Sequence, residues 1–401
     1  MTAPRKLALV MISNFGRADG GRETWAYQFL PRLLARNPAL STNVYALRVD
    51  GQSDNSGELI GAIAKEDRNR FSLCFLRARR NWIPNSLKMA WAMLRRGWNA
   101  GERDFDLALG VGSFVELICM LLAPGLRGTP KAIWLRTIYL DEKSHRIPEW
   151  LRPVGAAIET AVLRRAKLII ANGDDTAAHY RARGLKIEVI KNAVDLDRWR
   201  MPPPKLERPI NVAFIGRLTA VKGAAEFLEV CWKLSTTDNR HDIRFHVIGD
   251  GEFTEQARPL ERENRLVLHG MIPNDRLPTI LDEMDICVAL GFVGIGPRGR
   301  GGGSGVSNAI LEQMAAGRVM LCWDNVAYRQ VIGTDAGFFV SQGDTDALAQ
   351  VIRSIVRDPA TARSKAAAAT VMAQEYGFDA HMAKFDSVIS AICKLEDKAT
   401  S

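Results

Sequence analysis

The chain has 401 residues, of which 47% are hydrophobic and 25% charged, and its 54 Lys and Arg outnumber 45 Asp and Glu for a formal net charge of +9. That length exceeds what one hydrophobic core usually serves, so two domains are expected, and the balance excludes a disordered or fibrous chain. The positive charge points to anionic partners: phosphorylated substrates, anionic lipid or nucleic acid. The apolar run at residues 117–126 is too short to span a bilayer and contains Pro124, so it reads as a buried helix end. The six cysteines form no C-x-x-C pair and no His cluster accompanies them, which argues against a zinc site or a disulfide framework and for a reducing cytoplasm. Residues 6–13 suit a first strand better than a signal peptide.

In chain order, an apolar run from Leu7 to Met11 leads into Gly16, then Asp19-Gly20-Gly21-Arg22-Glu23, then a helical pattern from Thr24 to Ala35. Further strands are expected at 44–48, 71–75, 107–109, 132–135, 168–171 and 187–190, with helical stretches between most of them. Residues 200–209 hold three consecutive prolines and read as a linker. Beyond it the alternation restarts, with strands at 211–215, 243–248, 266–269, 285–290 and 319–322 and helices at 222–234, 275–282 and 306–316. Such alternation argues for doubly wound parallel α/β sheets. The division read from it is a domain over 1–200, a Pro-rich linker over 201–209, a second domain over 210–375 and a tail helix over 376–401.

Five blocks carry the chemistry: residues 211–223, 245–251, 267–270, 284–288 and 304–317. Each reads as a strand end with its loop, or as a loop opening a helix, and in a parallel sheet such loops gather at the carboxyl edge where ligands bind. Arg217 and Lys222 stand among Gly216 and Gly223. A planar fork and a point charge suit the two phosphates of a diphosphate. Gly305, Val306, Ser307 and Asn308 precede a helix whose backbone N–H groups and dipole favour phosphate oxygens. Glu312 lies on the first turns of that helix.

Together the blocks resemble the carboxyl-terminal half of retaining glycosyltransferases of family 4 (glycosyl transferases group 1). The likeness lies in Gly216-Arg217-Leu218, Lys222-Gly223, Gly249-Asp250-Gly251, His269-Gly270 and Leu311-Glu312-Gln313-Met314-Ala315-Ala316-Gly317. It is close over residues 167–340, including Lys191–Asp195 as a crossover, and looser over 1–160, where Gly20 and Gly21 are similar to the family's first loop. The resemblance implies a GT-B fold: two facing Rossmann-like domains, with a tail helix crossing back to pack toward the first. It implies an acceptor-binding first domain and a second that binds a nucleotide diphosphate sugar (UDP or GDP) through Gly216, Gly249, Ser304, Gly305, Val306, Ser307, Asn308 and Glu312, with Gly20 and Gly21 contributing. Arg217 and Lys222 would be the catalytic cations, Glu312 would hold the ribose hydroxyls, and no metal or cofactor would be needed. Arg136 and His145 fall where the family places polar residues toward sugar or acceptor. The activity implied is retaining transfer to a glycan or lipid-linked acceptor in cell-surface polysaccharide or glycolipid synthesis. One position departs: the family's second glutamate, eight residues before Glu312, is Ser304 here. A nucleotide-sugar-binding protein with weak or lost catalysis is therefore the alternative.

Other signals are cheaper. Three D-x-D matches, at Asp104, Asp195 and Asp344, show how common that metal pattern is. Gly294-Ile-Gly-Pro-Arg-Gly299 with Asp324 matches a dinucleotide fingerprint, but Pro297 and the glycines up to Gly303 break the strand-to-helix geometry it needs. Residues Arg68–Arg103 hold nine basic side chains, among them Arg77, Arg79, Arg80, Lys88, Arg95 and Arg96, interleaved with Trp82, Trp91 and Trp98. In a helix Lys88, Trp91 and Arg95 share a face, which suits the inner, anionic face of a membrane holding a peripheral cytoplasmic protein. No nucleic-acid motif accompanies them.

Overall fold

The computed structural model describes residues 6–15, 21–51, 56–80, 84–96, 105–139, 148–236, 241–293, 295–296, 299–300 and 308–397. The apolar runs form parallel strands because each can be covered on both faces, as Leu7 to Met11 are, all at 1% exposure or less. The chain divides into two units, residues 1–191 with 379–401, and residues 192–378.

The first unit is built on seven strands: β1 (Lys6–Met11), β2 (Ser41–Val49), β3 (Phe71–Ala78), β4 (Leu107–Gly112), β5 (Lys131–Leu135), β6 (Leu168–Ala171) and β7 (Glu188–Val189). They pair in the order β3-β2-β1-β4-β5-β6-β7, all parallel. The order reverses between β1 and β4, which places a crevice at the carboxyl ends of those strands. The tail helix, Phe378–Asp397, packs in this unit. Its Phe385 stacks on Trp134 at 5.7 Å and meets Phe29 edge-on at 4.9 Å. His381 accepts a hydrogen bond from Trp25 Nε1 at 3.1 Å, and its Nδ1 lies 2.7 Å from the Lys191 carbonyl. Those two contacts fix a neutral ring with its proton on Nδ1, and burial lowers its pKa to about 4.

The second unit contains β8 (Ile210–Ile215), β9 (Ile243–Ile248), β10 (Leu266–Gly270), β11 (Ile286–Ala289), β12 (Ile295–Gly296), β13 (Gly299–Arg300), β14 (Val319–Trp323) and β15 (Gly337–Val340). Six of them form a parallel sheet in the order β10-β9-β8-β11-β14-β15, reversing between β8 and β11. β12 and β13 make a separate antiparallel pair. That hairpin occupies the G-x-G-x-x-G match, where a dinucleotide site would need a strand turning into a helix.

Residues 201–209 differ from a free linker. They fall inside the second unit. Leu206 is 5% exposed in the core, and both Asp285 carboxylate oxygens accept backbone N–H groups, from Leu206 and Asn211, at 2.9 Å each. Arg318, 1% exposed, donates to the carbonyls of Pro202, Met284 and Ala316. The chain passes of this unit meet where Val194 bridges to Gly377 and donates to the Tyr376 carbonyl.

Candidate functional site

The carboxyl edge of the second sheet is assembled by close backbone approach. After β8 the chain runs Gly216-Arg217-Leu218, then a single 3-10 turn, Ala220–Lys222, before the helix Ala224–Ser235. Lys222 therefore ends a turn and does not open the helix as its position in the sequence implied. Gly223 follows at φ 75°, and a Cβ there would lie 2.3 Å from the Leu290 carbonyl oxygen. Gly249, after β9, sits at φ 140° with room for no side chain, since a Cβ would lie 2.0 Å from the Gly216 carbonyl oxygen. Hydrogen bonds lock the same loops: Leu218 N–H to the Asp250 carbonyl at 3.0 Å, Ala220 N–H to Glu252 at 2.7 Å, and Phe292 N–H to the Val221 carbonyl at 3.0 Å. Tyr328 accepts the Gly291 N–H at 3.0 Å, which holds the loop after β11. The glycines thus draw the β8, β9 and β11 loops together at the point where strand order reverses.

On that frame Arg217 is exposed and Lys222 half-buried. Glu312 lies in the helix Asn308–Ala315 and is 6% exposed. Burial pushes its carboxyl up to about 7, opposed by the Arg198 charge and a hydrogen bond from the Asn274 side chain. Arg198 in turn donates to the Asn274 carbonyl. Arg198 and Asn274 were not singled out in the sequence. Arg198 lies three residues beyond Asp195 of the crossover, a signal that could have found it; Asn274 sits in a loop with none. Asn308 is half-buried at the helix start, while Ser304, Gly305, Val306 and Ser307 lie outside the described residues. The D-x-D aspartates that are described have structural partners: Asp195 accepts the Arg198 N–H, Asp344 caps the helix Thr345–Arg357, and Asp346 pairs with Lys233 at 2.6 Å. Among the described residues no group of three or more His, Cys, Asp or Glu could hold a metal ion. His246 and His269 satisfy one another at 3.0 Å, with Asn211 on the other His246 nitrogen at 3.1 Å.

The first sheet carries its own cluster at its reversal point. Arg22, one residue after Gly21 opens the helix Gly21–Arg36, donates to the Ile12 carbonyl at 2.8 Å, to Glu23 at 3.0 Å and to Glu116 at 3.4 Å. Glu23, in the first turn of that helix, is 4% exposed. Glu116 closes a capping box with Ser113, a Ser-x-x-Glu signal readable in the sequence. Arg136 follows β5. Gly20 and His145 lie outside the described residues.

The basic segment is split by the fold. Arg70 donates to the carbonyls of Asn37, Leu40 and Leu34, and Arg68 to that of Ile63, so both serve the fold. Arg77, Arg79 and Arg80 are exposed. On the helix Asn85–Arg96, Lys88 is 9% exposed and does not share the open face of Trp91, which is 59% exposed with Arg95 lying 4.5 Å over its ring. The Arg96 side chain and Trp82 lie outside the described residues.

Two family models match: Glycosyltransferase Family 4 over residues 20–198 and Glycosyl transferases group 1 over residues 209–358. The chain is a group 1 glycosyltransferase. This glycosyltransferase is 25% identical over 290 residues to the 2-deoxystreptamine glucosyltransferase of Streptomyces kanamyceticus, covering 67% of this chain and 71% of that one. It is 25% identical over 312 residues to the 2-deoxystreptamine N-acetyl-D-glucosaminyltransferase of Streptomyces fradiae, covering 72% and 71%. Among solved structures, Anabaena HepE in complex with UDP superposes with a TM-score of 0.70 at 16% identity, over 96% of this chain and all of that one. The sucrose-phosphate synthase of Thermosynechococcus elongatus gives 0.71 at 16%, over 99% and 100%. The glycosyltransferase has the GT-B fold.

Proposed function

We propose that the second unit grips a nucleotide diphosphate sugar, and that the enzyme transfers the sugar, with retention, to a glycan or lipid-linked acceptor bound by the first unit. The observation that supports this most is the loop assembly at the β8–β11 reversal, which presents Arg217 and Lys222 on one glycine-tight frame. HepE is described in complex with UDP-glucose, which favours a UDP-sugar for this chain too. As the bond from the anomeric carbon to the diphosphate breaks, negative charge gathers on the leaving oxygens. Arg217, Lys222 and the amino end of the helix at Asn308 stabilise it, and the acceptor hydroxyl attacks from the same face. Glu312 accepts the ribose hydroxyls. These cations do the work for which other glycosyltransferases employ a divalent metal, so no metal is required.

UDP and GDP, with and without a sugar, are to be titrated against the melting temperature, and turnover followed with the nucleotide sugar that stabilises most. Arg217→Ala lowers transfer by about 10²–10³-fold and removes most of the nucleotide-induced stabilisation. Nucleotide stabilisation undiminished in Arg217→Ala would overturn the diphosphate grip. Ser304 in place of the family's acid favours a second reading, a protein that binds a nucleotide sugar without turning it over; binding with neither hydrolysis nor transfer for any donor decides for it.

No helix among the described residues is long and apolar enough to cross a membrane. The helix Asn85–Arg96 nevertheless exposes Leu87 (60%), Trp91 (59%) and Leu94 (42%) beside Arg95. We read this face as a peripheral contact with an anionic bilayer that presents a lipid-linked acceptor.

A further inference from the structure

Among the described residues, Arg136 is a cation with no ion-pair partner. Its backbone is fixed, since its N–H donates to the Gly112 carbonyl at 2.8 Å and its carbonyl accepts from the Asn172 side chain at 3.3 Å. Its guanidinium lies 5.0 Å from the Trp25 ring and 5.8 Å from the Trp134 ring. Nη1 is out of water and has no hydrogen-bond partner, and no carboxylate lies within ion-pair distance among the described residues. The neighbouring Thr137 hydroxyl is likewise buried without a partner.

The described acids nearby, Glu23 and Glu116, are already engaged. Glu23 binds Arg22 at 3.0 Å, and Glu116 is held by the Ser113 backbone and hydroxyl at 2.8 and 3.1 Å as well as by Arg22. Burial and the Arg22 charge lower the Arg136 pKa to about 9, opposed by the smaller attraction of Glu23. Burying a guanidinium costs free energy that two ring faces offset only in part. A guanidinium whose Nη1 is out of water, with no ion-pair partner among the described residues, is what a planar or tetrahedral oxyanion completes. The position fits a ligand, because β5 lies beside the β1–β4 reversal at the carboxyl edge of the sheet.

We propose that Arg136, seconded by Arg22, forms an oxyanion-binding site in the first unit and selects an acceptor bearing a carboxylate or a phosphate. This rests on the reading that the first unit holds the acceptor, and it makes Arg136 a specificity residue for that acceptor. A neutral sugar acceptor leaves the guanidinium unpaired and binds weakly.

The test uses the full chain and thermal unfolding in potassium phosphate, potassium glucuronate, potassium chloride and neutral glucose at matched ionic strength, with UDP as a parallel probe. The wild type gains a few degrees for each tenfold excess of phosphate or glucuronate over its dissociation constant, and gains nothing from chloride or glucose. A gain with phosphate alone assigns a phosphorylated acceptor, and one with glucuronate alone a uronate. Arg136→Met, which sets an apolar chain between the tryptophans, melts higher than wild type without ligand, loses the oxyanion gain and keeps the UDP gain. Arg136→Lys keeps the charge but not the fork and retains a weakened gain. Arg217→Ala, altered in the other unit, keeps the phosphate gain, which separates this site from the diphosphate grip. No oxyanion gain in wild type, an undiminished gain in Arg136→Met, or a lower melting temperature for Arg136→Met overturns the proposal. Loss of the UDP gain in every variant strikes the donor reading instead.

Discussion

Glu312, in the role proposed for it, would serve binding at a cost to the fold. Its carboxyl stands at about 7 in the folded chain against an ordinary 4.5. Between those values the folded state holds a proton that the unfolded state releases, so stability falls as pH rises from 4.5 through 7, and the loss is complete above 7. Glu312→Gln removes that term, leaving stability near wild type at pH 5 and raising it by about 1–3 kcal/mol at pH 8. Nucleotide binding runs the other way. On the proposed role, in which the ionised carboxylate accepts ribose hydroxyls, UDP affinity in wild type improves as pH rises through 7, and Glu312→Gln binds more weakly at pH 8. Denaturant unfolding and calorimetric titration at pH 5 and 8 check both halves; a Gln variant that is less stable at pH 8 contradicts the assignment. Arg217 drew notice as a cation among glycines at a strand end, and Glu312 through the resemblance of Leu311–Gly317 to the family's motif. Arg136 stood out only weakly, since the setting of its guanidinium depends on Trp25 and Arg22, which are distant in sequence.

Among the elements, the helix Asn85–Arg96 carries its apolar surplus outward. Leu87, Trp91 and Leu94 stay exposed, while Met89, Ala90 and Met93 face the core. On the helix packed beside it, Phe114–Leu122, Leu121 and Leu122 are 39% and 49% exposed. Changing Trp91 and Leu94 together to Ser removes about 1–2 kcal/mol of partitioning each, and weakens binding to vesicles rich in anionic lipid by about tenfold or more, without lowering the melting temperature. Equal flotation of variant and wild type, or no preference for anionic over neutral vesicles, counts against the membrane contact. The parallel strands were legible as short apolar runs between turn residues, and nearly all fall where the pattern placed them. The strap over 201–209 was not. Its prolines forbid helix and central strand locally, which is the signature of a linker. What binds it is tertiary: Asp285 and Arg318 receive and donate bonds from residues about 80 and 116 positions away. β15 was missed because Gly337–Val340 is short and follows a turn without alternation.

At the scale of the whole molecule, the chain leaves its first unit after Lys191, builds the second, and returns at Asp379. The first unit is therefore not a contiguous stretch, and its aromatic core depends on residues of the returning tail helix. Phe385, 2% exposed, closes the group formed by Phe29 and Trp134, and His381 takes the Trp25 indole proton. Truncating a buried phenylalanine in such a setting costs about 3–5 kcal/mol. The loss in Phe385→Ala falls on the unit that contains it. Hydrogen exchange then shows faster amides in β1, β4 and β5, while β8, β9 and β11 keep wild-type protection and UDP still stabilises the chain. Uniform loss of protection in both sheets would instead make the two units one cooperative body. Equal protection in both sheets would show that the tail helix contributes little to the core it covers. The sequence showed the helical period of this tail through Met382, Phe385, Val388, Ile389 and Ile392. Which unit it joins is set by surfaces far away along the chain.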